Sequence, residues 1–174
     1  MYGRAEAAGA GLFFSGGQRS ERNTDGTCLL GTEDGPVAAR AVIYAAGAKP
    51  RTLGLPGEEE LVGRGVSYCA VCDGAFFKDR AVCVIGGGNA ALEESLYLTQ
   101  FARKVTIVIR RDIFRADAHV QKQIEENEKI EIIRRHVPVR ILDDGMKVNG
   151  IVLRAVDSGD EQPLEVRGIF PYHG

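Results

Sequence analysis

The chain has 174 residues, 44% hydrophobic and 26% charged, with a formal net charge of -2 at pH 7. That length can bury one good core and part of a second lobe, but not two complete α/β domains, and the balanced charge excludes a general attraction to nucleic acid or anionic membrane. No apolar run reaches the length of a membrane span, and Met1–Phe14, with Arg4 and Glu6, makes a poor signal peptide.

Residues 1–52 read as one region. A short helix is expected at Gly3–Ala8, a polar turn at Asn23–Gly26 and a strand at Thr27–Gly31. A second turn over Glu33–Pro36 leads to the nearly all-apolar run Arg40–Gly47, which predicts a strand covered on both faces. Ala48–Glu58, punctuated by proline and glycine, is a connector between lobes.

From Gly65 onward the pattern is βαβ. A strand is predicted at Ala81–Ile85, a helix from Asn89 to Ala102 with Ala91, Leu92, Ser95 and Leu96 on one stripe, and a strand at Lys104–Ile109. A polar helix follows over Asp117–Lys129, capped near Asp117, then strands at Ile130–Ile133, Val148–Val156 and Leu164–Phe170. The fold class expected is α/β, a Rossmann-like parallel sheet with helices plus an antiparallel β-meander.

Gly86-x-Gly88-x-x-Ala91 fits G-x-G-x-x-G/A. The first glycine makes a tight turn, the second lets backbone approach a pyrophosphate, and the small last residue lets helix and strand pack closely. Taken alone, such a turn occurs in many α/β proteins. Here an apolar strand precedes it and a helix follows, the context that a dinucleotide site requires. An NAD site wants an acid at the end of the second strand, but Arg110 and Arg111 stand there, with Arg115 beyond. Paired guanidinium groups suit a 2′-phosphate, so NADPH is favoured over NADH. The alternative is a solvated basic strand end or a nonspecific nucleic-acid patch.

Four cysteines are too few for a disulfide scaffold. Cytoplasmic localisation is therefore expected, where Cys69-x-x-Cys72 is a redox or metal motif. Cys28 and Cys83 make no second C-x-x-C pair, so zinc would need distant ligands, and no metal is expected. Cys83, inside an apolar strand, reads as a buried hydrophobe. The redox reading is the stronger, with Asp73 poised to exchange a proton with a leaving thiolate. Asp73-Gly74 as a plain turn dipeptide is the alternative. His119, His136 and His173 read as surface residues, and Arg134-Arg135 as a solvated strand end.

Ser67–Gly74 around the C-x-x-C, Val84–Glu94 around the glycine turn and Arg110–Ala116 after the second strand, in this order and spacing, resemble bacterial-type thioredoxin reductase. The likeness runs from about Ala41 to Gly168. It implies an NADPH- and FAD-dependent flavoenzyme that reduces thioredoxin, usually as a homodimer; that no nucleic-acid or membrane partner is expected rests on the charge and the lack of a long apolar run. It also implies Cys69 and Cys72 as the redox pair and Asp73 as acid/base. Gly86, Gly87, Gly88, Asn89, Ala90 and Ala91 would form the pyrophosphate turn, and Arg110, Arg111 and Arg115 would bind the 2′-phosphate.

The chain departs from the pattern in three places. Ile109 stands where the family has histidine. Met1–Gly17 holds no G-x-G-x-x-G loop for an FAD pyrophosphate, and the chain ends at Gly168–Gly174, where the family returns to its flavin lobe. The expected organisation is a partial FAD-domain segment at 1–52 and an NADPH domain carrying the C-x-x-C at 53–174. Tight FAD binding by this polypeptide is not expected, and residues 1–40 are expected to be the least ordered. A rival function is a non-catalytic NADPH-binding module. A related flavin enzyme acting on another disulfide would share every motif. Because the dithiol and the glycine turn lie on one lobe, a complete enzyme would have to rotate that lobe between half-reactions.

Overall fold

The computed structural model describes residues 7, 9–11, 14–45, 47 and 49–172. The chain divides into two compact units, residues 1–48 and 49–174. The first unit contains an antiparallel sheet of β1 (Gly17–Arg22), β2 (Cys28–Thr32) and β3 (Gly35–Ala39), paired in that order. Turn chemistry explains the first reversal. Asp25 Oδ1 accepts from the Thr27 N–H at 2.9 Å and the Thr27 hydroxyl at 2.7 Å, and these bonds hold the Asp25 carboxyl below its ordinary pKa.

Strand β2 lies within a residue of the expected one, whereas β1 and β3 carry no clear alternation in sequence. The strand expected over 40–47 is absent from the described residues of that run. Residues 41–45 have no regular structure, Ala46 lies outside the described residues, and Ile43 and Tyr44 are 93% and 87% exposed. An apolar run becomes a strand only where neighbours take up its N–H and C=O groups, and among the described residues none pairs with it. The expected helix at Gly3–Ala8 falls, apart from Ala7, outside the described residues.

The second unit is built from α1 (Ala70–Asp73), a 3-10 turn (Gly74–Phe77), β4 (Ala81–Ile85), α2 (Asn89–Leu98), β5 (Lys104–Ile109), α3 (Ala118–Glu125) and β6 (Ile130–Arg134). It continues with β7 (His136–Asp143), β8 (Val148–Ala155), β9 (Glu161–Leu164) and β10 (Gly168–Pro171). Strands β10, β4, β5 and β6 form a parallel sheet in that order, and β7–β9 form an antiparallel meander. The two βαβ steps are those expected from the apolar runs at 81–85 and 104–109.

Three layers result. Val82, Val84, Val105 and Ile107 face α2 and α3, packing on Ala91, Leu92, Leu98, Val120 and Ile124. Cys83, Ile85, Val108 and Ile169 face the meander, packing on Ile141, Ile151 and Leu153. A central strand buried on both faces explains why β4 reads as one continuous apolar run.

Two expectations are corrected. The single strand predicted over 164–170 is two, because β9 pairs with β8 while β10 crosses to the other sheet and pairs with β4. Strand β7 is not among the expected ones: Val137, Val139 and Ile141 do alternate, but Pro138 within the run argues against a strand, and the register with β8 slips between Pro138 and Arg140. The helices end earlier than predicted, at Leu98 and Glu125.

Before α1, Glu58 pins its own approach. Only 2% exposed, it accepts from the Leu53, Gly54 and Leu55 N–H groups at 2.8, 2.9 and 3.3 Å and from the Tyr68 hydroxyl at 2.7 Å. Burial, together with the bond to Glu58, pushes the Tyr68 hydroxyl pKa well up.

Candidate functional site

Gly86 leaves β4 at φ +144°, and a Cβ there would lie 2.5 Å from the Tyr172 carbonyl oxygen, so only glycine lets the end of β10 pass. Gly87 is closely covered too, its Cβ position 3.0 Å from Ile109 Cγ2. Gly88 caps α2 and faces open space, so its backbone can be approached. The first-turn N–H groups of α2 have no intrahelical acceptor and carry the positive end of the helix dipole. Ala91 is fully buried against the sheet, while Ala90 is exposed. Asn89 is tied sideways: its Nδ2 donates to Asp117 Oδ2 at 3.1 Å and its Oδ1 accepts the Asp117 N–H at 2.7 Å.

The arginine segment leaves β5 beside this turn. The Arg115 N–H donates to the Gly87 carbonyl at 2.7 Å, and Arg110, Arg111 and Arg115 are exposed. Gly86, Gly87 and these three arginines line one cleft of about 330 Å³ at the carboxyl ends of β4 and β5. Ligands of open α/β sheets bind in this crevice. Three guanidinium groups and an open glycine turn are a donor set that fits a phosphorylated dinucleotide. Ile109, 4% exposed and packed on Gly87, is no phosphate ligand.

The Arg134-Arg135 pair is not a plain solvated strand end. Arg134 Nε donates to the Asp112 carbonyl at 2.9 Å, and its guanidinium lies 5.6 Å from the Phe114 ring centroid. Arg135, at φ +56°, donates to Asp112 Oδ2 at 2.7 Å and to both Asp157 oxygens. Asp157 and Asp112 raise the Arg135 pKa, and Arg135 holds the Asp157 carboxyl low. These bonds brace the arginine segment and neutralise the acid beside Arg111. His136, read as a surface residue, also lines the cleft. His173 lies outside the described residues.

Cys69 and Cys72 form a disulfide with a Cα–Cα distance of 5.3 Å. Cys69 is half-buried at the N-cap of α1, and its Sγ accepts the Cys72 N–H at 3.2 Å; Cys72 is exposed. Cys83 is fully buried, which pushes its thiol pKa up, and Cys28 is half-buried. Among the described residues no group of three His, Cys, Asp or Glu side chains can hold a metal.

Ser67 is a site residue that the sequence does not reveal by itself. It is 4% exposed, its hydroxyl donates to Asp73 Oδ2 at 2.7 Å, and its oxygen accepts the Cys69 N–H at 3.2 Å. The replacement Ser67→Ala orphans both partners and is expected to lower unfolding free energy by about 1–3 kcal/mol, read from the urea midpoint. A midpoint equal to wild type would show that the Ser67 bridge does not hold the turn.

The sequence profile of the pyridine nucleotide-disulphide oxidoreductase family matches residues 14–174. The chain belongs to this family. It is 52% identical over 136 residues to the thioredoxin reductase of Listeria innocua and 49% identical over 136 residues to that of Bacillus subtilis, each match covering 78% of this chain. It spans 43% of the length of these curated relatives. Among solved structures it is similar to Lactococcus lactis thioredoxin reductase, with TM-score 0.81 and 41% identity over 97% of this chain and 55% of that one. It is also similar to Giardia duodenalis thioredoxin reductase, with TM-score 0.87 and 34% identity over 99% of this chain and 56% of that one. In this family member, no glycine turn opens a helix among the described residues of the first unit, so those residues offer an FAD pyrophosphate no cradle. No described helix is long and apolar enough to cross a membrane.

Proposed function

We propose that this chain is the NADPH-binding, dithiol-carrying portion of a thioredoxin-disulfide reductase. The observation that carries the reading is a formed Cys69–Cys72 disulfide in the same compact unit as an arginine-lined cleft on a glycine turn. Residues 53–174 are assigned to the NADPH domain and residues 1–52 to part of an FAD domain. Thioredoxin as the substrate is suggested by the relatives' names, a homodimer by the family resemblance alone, and a cytoplasmic location by the low cysteine count.

Each residue has a role in this reading. The N–H groups at Gly88–Ala91 receive the pyrophosphate, and Arg110, Arg111 and Arg115 hold the 2′-phosphate. Bound NADPH supplies a hydride equivalent. Opening the Cys69–Cys72 bond takes up two electrons and two protons. Of the two resulting thiols, one loses its proton and attacks the disulfide of thioredoxin to form a mixed disulfide; the other, deprotonated in turn, breaks it, re-forming the Cys69–Cys72 bond, and the two protons leave with thioredoxin as a dithiol. Asp73, oriented by Ser67, takes and returns a proton at these sulfurs.

The test is calorimetric titration with NADPH and NADH, followed by incubation with reduced thioredoxin and mass spectrometry of the Cys69–Cys72 peptide. At least about tenfold tighter binding of NADPH, one phosphate contact's worth, with exchange of the disulfide, supports the reading. NADPH binding without exchange favours a non-catalytic nucleotide module, and equal affinity for both nucleotides overturns the phosphate assignment.

A further inference from the structure

Two polar side chains beside the disulfide have no part in that reading. Tyr172 follows β10, anchored by its N–H to the Ile85 carbonyl at 2.8 Å, and its hydroxyl oxygen accepts the Ala70 N–H at 2.9 Å. Ala70 is fully buried, and its amide is the first after Cys69. A hydroxyl that accepts this bond still has its own proton to donate. Glu94, on α2, lies close enough for its charge to act on this hydroxyl. Its Oε2 is buried and has no hydrogen-bond partner among the described residues. Burial first, then the Glu94 and Asp73 charges, push the Tyr172 hydroxyl pKa up to about 12, so it keeps its proton at any physiological pH.

We propose that Tyr172 and Glu94 are positioning residues for the redox pair, Tyr172 fixing the Ala70 amide and Glu94 fixing the Tyr172 hydroxyl. The consequence falls on Cys69. Its sulfur accepts the Cys72 N–H at 3.2 Å, and in the reduced pair that N–H is the donor that stabilises a Cys69 thiolate. The bond lasts only while the Cys69–Cys72 turn keeps its shape, and the turn is pinned from outside α1 by Tyr172 at the Ala70 amide as well as by Ser67 at Asp73 and the Cys69 N–H. Among the described residues, ionisable groups next to this turn include Asp73 on α1, held by Ser67, Tyr68, adjacent to Cys69 and held by Glu58, and Tyr97 on α2, 3.5 Å from the Cβ position of Gly74. The variants below leave all three in place.

The inference rests on the redox role proposed for Cys69 and Cys72, and its test needs neither nicotinamide nor flavin. The full chain is reduced with dithiothreitol, which gives two electrons and two protons to the disulfide and is itself oxidised to its cyclic disulfide. Cys69 is then alkylated with iodoacetamide at a series of pH values and followed by peptide mass spectrometry. Tyr172→Phe removes only the hydroxyl and is expected to slow Cys69 alkylation at neutral pH by about threefold to tenfold, a rise of up to one pH unit in the midpoint. Glu94→Ala is expected to do the same, and Glu94→Gln, whose amide oxygen still accepts from Tyr172, to restore most of the rate. The double variant Tyr172→Phe/Glu94→Ala is expected to be no slower than Tyr172→Phe alone, because the two act in series.

Buried Cys83 is the internal control, since its alkylation reports unfolding. If Tyr172→Phe exposes it, the Glu94 pair decides: a slow alanine variant rescued by glutamine supports the proposal, and an alanine variant at the wild-type rate overturns it. An unchanged Cys69 rate in folded Tyr172→Phe, or effects that add in the double variant, also overturns it. A wild-type disulfide that dithiothreitol fails to open overturns the redox reading together with this inference, whereas normal opening with unchanged variants overturns the inference alone.

Discussion

Replacing Arg110 and Arg111 together by alanine is expected to weaken NADPH binding about 100-fold while changing NADH affinity less than about threefold. Two charge-assisted contacts to a phosphate dianion carry about 1.5–3 kcal/mol each when well formed. Both arginines are exposed, so screening by water and salt puts the effect toward the lower end. Calorimetric titration of both nucleotides at low and moderate salt measures it. The direction depends on Asp112, whose Oδ2 is taken by Arg135 at 2.7 Å and so does not repel the phosphate. Equal losses for NADPH and NADH would mean that the arginines act on the pyrophosphate or on the loop, and not on the 2′-phosphate.

Glu58→Ala should be the most destabilising single replacement in the second unit outside its core. It removes the acceptor for the Leu53, Gly54 and Leu55 N–H groups and for the Tyr68 hydroxyl, all at a position only 2% exposed. Buried donors left unpaired cost about 1–3 kcal/mol each, and partial access of water to the half-buried loop brings the sum to about 3–5 kcal/mol. Glu58→Gln keeps one carbonyl oxygen and should lose about half as much. Chemical denaturation followed by far-ultraviolet circular dichroism measures both. An alanine variant within about 1 kcal/mol of wild type would mean that water replaces the carboxylate and that the connector is not pinned by it.

The parts of this molecule that could be read in sequence are those encoded over short distances. Strand β4, its glycine turn and α2 form a contiguous unit in which period, breaker residues and small-residue positions agree. The Cys69–Cys72 pairing also spans a separation of only three residues. Strand β7 escapes a sequence reading because Pro138, which donates no ladder hydrogen bond, sits inside its alternating Val137, Val139, Ile141 run, and pairing with β8 accommodates it through a register shift. The apolar residues 41–45 fail as a strand for the converse reason: a favourable composition without a hydrogen-bonding neighbour stays irregular.

The same division applies to the site. Sequence by itself determined which residues are proposed for dinucleotide and disulfide chemistry, since a phosphate turn and a C-x-x-C loop are local backbone problems with few solutions. Tertiary structure alone decided what holds them. Arg135 reaches Asp112 across a separation of 23 residues and Tyr172 reaches Ala70 across 102. Both contacts depend on strand order in the parallel sheet, where β10 lies beside β4 and places Tyr172 next to the glycine turn. No periodicity encodes such a meeting, because it follows from where the chain returns and not from what it passes through.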